Sequence, residues 1–68
     1  DPKIYQMKIK VEVKIIENYK NIKQINFEEY FNYNNNSNKF ELKQYEKNIE
    51  DNLIEKIIES LTFYISSI

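Results

Sequence analysis

Residues 5–15, YQMKIKVEVKI, alternate between apolar and polar side chains without a break. Tyr5, Met7, Ile9, Val11, Val13 and Ile15 take the odd positions; Gln6, Lys8, Lys10, Glu12 and Lys14 take the even ones. Successive side chains of an extended chain point to opposite faces. A period of two with β-branched residues therefore predicts a strand that buries one face. NYKN at 18–21 reads as a turn, since Asn tolerates the left-handed backbone that turns need. A second strand is expected from Ile22 or Lys23 to Tyr33, with Ile25, Phe27, Phe31 and Tyr33 on one parity. Glu29 interrupts that parity and Tyr30 falls on the other face, which admits a bulge near Glu28–Glu29. Two adjacent runs of similar length favour an antiparallel hairpin, over about 4–17 and 22–33.

The period changes after FNYNNNSNKFEL. Leu42, Tyr45, Ile49, Leu53, Ile57, Leu61, Tyr64 and Ile65 are spaced by three and four, which is helical. Ser37 or Asn38 is placed to cap this helix, and Asn38 with Glu41 fits a capping-box pattern. Phe40 and Leu42 are expected to begin the apolar face of a helix over about 39–65. From Leu53 onward Ile54, Ile58, Phe63 and Ile68 widen that face beyond what two strands can cover. The expected fold is thus α+β: one hairpin and one long C-terminal helix packed on one sheet face. Residues 1–68 form a single small domain, either part of a larger α/β sandwich or a member of an oligomer.

Composition limits the chemistry. The 68 residues contain no Cys and no His, which removes the disulfide, the thiolate metal site and the familiar nucleophile–base pairs. No Gly-flanked serine is present. Glu50, Asp51, Glu55 and Glu59 lack ligands from a second element and read as a solvated helix face. No catalytic residue, cofactor or metal is expected, and the chain is not expected to be an enzyme. At this size only about 60% of the unfolded surface is buried, so a packed partner is expected to contribute stability. Net charge is −1, which gives no global field for nucleic acid. Residues 1–23 nevertheless hold six Lys against Asp1, Glu12 and Glu17, whereas residues 24–68 hold four Lys against eight acids. Arg and Gly are absent and no RNA-binding motif occurs, so nucleic acid is not an expected partner. The abundance of Ile, Asn and Lys with no Arg has the look of an AT-rich coding bias. The Asn35-Asn36-Ser37 acceptor pattern is accordingly read as chance.

Two charge patterns stand out. Lys8, Lys10 and Lys14 share the polar face of the first strand, where they form a candidate site for lipid phosphates; the plainer reading is a solvated or protected strand face. Lys39, Lys43 and Lys47 precede Asp51, Glu55 and Glu59 along one every-fourth row of the helix, against the direction the helix dipole favours. Either the chain tolerates this or the charges answer to a partner.

The order of a strand ending in FNY, a polar loop and NKFELKQYEKNIEDNLIEKIIESLTFYI resembles the C-terminal half of the lipopolysaccharide-assembly lipoproteins, the LptE-like family. The resemblance rests on Tyr45-Glu46, Asn52-Leu53, Ile57 and Leu61. It implies an outer-membrane, periplasm-facing lipoprotein that docks with a β-barrel translocon and binds lipopolysaccharide. It also implies further strands and a first helix beside those present. The family's lipidated Cys, and the Ala and Arg common early in its last helix, have no counterpart here; the opening on Asp1 rather than Met admits a processed or trimmed chain with a region upstream. The alternative is a small α+β interaction module, a homo-oligomer formed through its long amphipathic helix.

Overall fold

A computed structural model describes residues 3–67 and has the expected architecture: strand β1 (Ile4–Glu17), strand β2 (Lys20–Asn34) and helix α1 (Lys39–Ser66). The strands pair antiparallel in a two-stranded sheet, so each has one paired and one open edge. The turn between them is only Asn18 and Tyr19, both with positive φ, 53° and 64°. Consecutive left-handed residues match the twist of a two-residue hairpin, where Asn-Gly is the preferred pair. This chain has no Gly, and Tyr19 takes the second position fully exposed. A bulky residue held in this region costs about 1–2 kcal/mol. Tyr19→Gly should therefore raise stability by about 0.5–1 kcal/mol once the greater freedom of Gly in the unfolded chain is subtracted. The shift in the denaturation midpoint checks this.

The register is regular where a bulge was admitted: Ile9 faces Glu29 and Lys10 faces Glu28. Glu29 keeps the inner parity, half-buried, and Tyr30 sits outward opposite Lys8. The irregularity instead falls between Ile15 and Ile16, whose partners are Lys23 and Asn21. The extra residue lies beside the tight turn, where local twist is strongest and a bulge relieves it.

Asn38 is the N-cap; its side-chain oxygen accepts from the N–H groups of Phe40 (3.1 Å) and Glu41 (3.2 Å). The capping box is relayed rather than direct. Asn36 accepts from the Asn38 N–H (2.9 Å) and donates to the Glu41 carboxylate (3.1 Å). Asn35 N–H bonds to the Lys3 carbonyl, carrying the hairpin ladder one step past β2. At the other end the hydroxyls of Ser66 and Ser67 donate to the carbonyls of Thr62 and Tyr64.

The helix runs back along the hairpin towards its turn. Tyr33 near the end of β2 meets Glu46, and Lys23 near its start lies 5.1 Å from the ring of Tyr64. The buried cluster is Tyr33, Leu42, Ile49 and Leu53, with Tyr5, Met7 and Ile9 half-buried against it and Ile57 buried further along. The inner residues of β1 are half-buried, none fully. The molecule is 52 Å long and 16 Å thick with a radius of gyration of 16.2 Å. A compact domain of this length would have about 11 Å. One helix laid along one long hairpin makes a thin slab rather than a closed core.

Candidate interaction surface

Phe40 was expected on the apolar face but is 72% exposed. With Leu42 turned inward, a residue two positions earlier points nearly the opposite way at about 100° per residue. Tyr45 and Ile65, on the same helical period as the core, are also exposed, because the buried stripe drifts around the helix. Ile54, Ile58 and Phe63 lie outside the hairpin's cover, in line with the widening apolar arc; Ile68 lies outside the described residues. The helix therefore buries one stripe of four residues and presents a second set of apolar side chains to solvent.

On the β2 side of the helix, an open groove of about 450 Å³ runs between Phe31 and Tyr45, floored by Ile49 and Leu53 and rimmed by Asn48, Asn52 and Lys56. Tyr45 of the groove also belongs to a cluster of three rings. Tyr33 stacks tilted on Tyr5 (5.8 Å) and edge-on to Tyr45 (6.0 Å). The Tyr33 hydroxyl donates a short bond to the Glu46 carboxylate (2.5 Å), and that bond, with partial burial, pushes the phenol pKa up to about 12. The contact depends on the rotation of α1 over β2, which no local pattern in the chain fixes.

Lys8, Lys10 and Lys14 do lie together on the outer face of the hairpin, all exposed. Two of them converge on one acid: Lys8 Nζ is 3.1 Å and Lys10 Nζ 3.6 Å from the Glu28 carboxylate. The Lys8 hydrogen bond, with the charges of both lysines, holds the Glu28 pKa below its usual value. Lys14, across from Gln24, has no ion pair among the described residues, and Glu12 accepts from the Gln24 amide. The face thus carries Lys8, Lys10 and Lys14 against Glu12 and Glu28, a balance of one positive charge. Of the three lysines, Lys14 alone is unshared among the described residues. Among the described residues no group of three or more acidic side chains is placed to hold a metal ion, and no helix is long and apolar enough to cross a membrane.

No family model matches the chain, and no curated protein or solved structure is significantly similar to it.

Proposed function

We propose that this chain is a non-enzymatic interaction module that associates with itself through the solvent face of α1. The observation that carries this reading is the second apolar set on the helix, Phe40, Ile54 and Ile58, exposed on a slab too thin to close its own core. Apolar surface of this kind on a small chain is stabilised by covering it, at about 25 cal/mol per Å². Sedimentation at micromolar concentration tests the reading: a dimer or larger species is expected, and a folded monomer at every concentration removes it.

A second reading keeps the outer-membrane role: a lipopolysaccharide-assembly component that docks with a β-barrel and offers its outer strand face to lipid A phosphates. Three lysines on one exposed strand face favour it. Since Lys8 and Lys10 already share Glu28, Lys14→Gln should weaken binding to lipid A vesicles more than either Lys8→Gln or Lys10→Gln does. Affinity unchanged when all three become Gln takes the lysines out of the account.

A further inference from the structure

We infer that the partner of α1 is the same helix of a second copy, running antiparallel about a two-fold axis level with Ile49. The inference rests on the self-association reading and gives it a register. The row Lys39, Lys43, Lys47, Asp51, Glu55, Glu59 repeats every fourth residue, and all six side chains are exposed. None of the six forms an ion pair among the described residues, where both ion pairs are made to Glu28. The signs are antisymmetric about Ile49: Lys47 and Asp51, Lys43 and Glu55, and Lys39 and Glu59 are equidistant from it. An antiparallel copy sets Lys47 level with Asp51 and Lys43 level with Glu55, whereas a parallel copy in register sets lysine on lysine and acid on acid. Like charges juxtaposed across an interface oppose association strongly.

The apolar side chains obey the same symmetry. Phe40 and Ile58, both exposed, are equidistant from Ile49, so each Phe40 is level with Ile58 of the other copy. At 3.6 residues per turn Phe40, Lys47, Asp51, Ile54 and Ile58 fall within about 40° of the direction opposite Ile49. That direction leads away from the hairpin, because Ile49 is buried against it. A shallow crossing of about +20° keeps the two helices together over the roughly 13 Å from Ile49 to Phe40 and Ile58. In that geometry Lys47–Asp51 occurs twice beside the axis, with Lys43 and Glu55 flanking it.

Charge exchange tests this. Dimerisation should weaken with salt. Lys43→Glu with Lys47→Glu, and separately Asp51→Lys with Glu55→Lys, should each weaken it by about tenfold or more. An equimolar mixture of the two double variants should form a heterodimer tighter than either forms alone, and the fourfold exchange should regain the parent affinity. Circular dichroism of each variant keeps loss of fold separate from loss of pairing. A parent dimer indifferent to both double variants overturns the register and leaves self-association standing. A parent chain that is monomeric throughout overturns both.

Discussion

Leu53→Ala should lower the stability of the chain by about 3 kcal/mol. Leu53 is the most deeply buried of the described residues, 2% exposed, and it belongs to the cluster that α1 forms with both strands. The thin architecture offers few neighbours able to relax into the space left behind, which places the loss in the middle of the usual range for such a truncation. Set against a total of roughly 3–10 kcal/mol for a chain of this length, the loss removes between about a third and nearly all of the stability. Ile58→Ala, five residues along the same helix, is the contrasting case. Ile58 is 56% exposed, so its loss should leave monomer stability within about 0.5 kcal/mol. In the proposed dimer the same change removes the apolar contact with Phe40 of the other copy. Chemical denaturation of both variants at two protein concentrations separates these effects, because stability shared with a partner rises with concentration. Equal losses for both variants at low concentration would show that the outer and inner faces of α1 are not distinct.

The second large effect is expected at Tyr33. Its hydroxyl bond to Glu46 ties β2 to the second turn of α1, and its ring links Tyr5 and Tyr45. Tyr33→Ala should cost about 3 kcal/mol for the lost ring packing. Tyr33→Phe should cost about 1–2 kcal/mol for the charge-assisted bond alone. The pH dependence has a definite sign. The folded pKa, about 12, lies above the ordinary 10.0, so the folded state favours the protonated phenol. The stabilisation is complete below about pH 10 and is lost as pH rises through about 12. Tyrosinate absorbance of the folded chain should show a late step near pH 12 from Tyr33. Glu46→Gln, which removes the negative charge, should move that step to lower pH. Its absence in the folded parent would exclude the Tyr33–Glu46 bond.

Much of the fold was legible because each element carries its own periodicity. The alternation through Ile15 locates β1, the three-and-four spacing from Leu42 to Leu61 locates α1, and Asn38 marks the junction between them. Local rules settle such features, and no long-range information is needed. The position of the bulge was not legible: it is set by the twist of the two-residue turn, not by the out-of-pattern Glu29. Phe40 was misplaced on the inner face, although the angle from Leu42 already excludes that. The convergence of Lys8 and Lys10 on Glu28 required the strand register, which parity alone leaves undetermined. The antisymmetric charge row was legible from the start, yet its geometry matters only once the inner face is known to lie on the Ile49 side.

Both strands of the hairpin leave one edge unpaired, and β1 alone carries a run of Ile and Val long enough to template further strands. If α1 lifts away, the inner face is bared as well, and the hairpin becomes a seed for β-aggregation. Lys8, Lys10, Glu12 and Lys14 break that run at every second position, as charged residues do when they guard unavoidable apolar strands. Their first duty is then to the solubility of partly opened molecules. Neutralising all three lysines should shorten the time to precipitation in mild denaturant, whatever the strand face binds when the protein is whole.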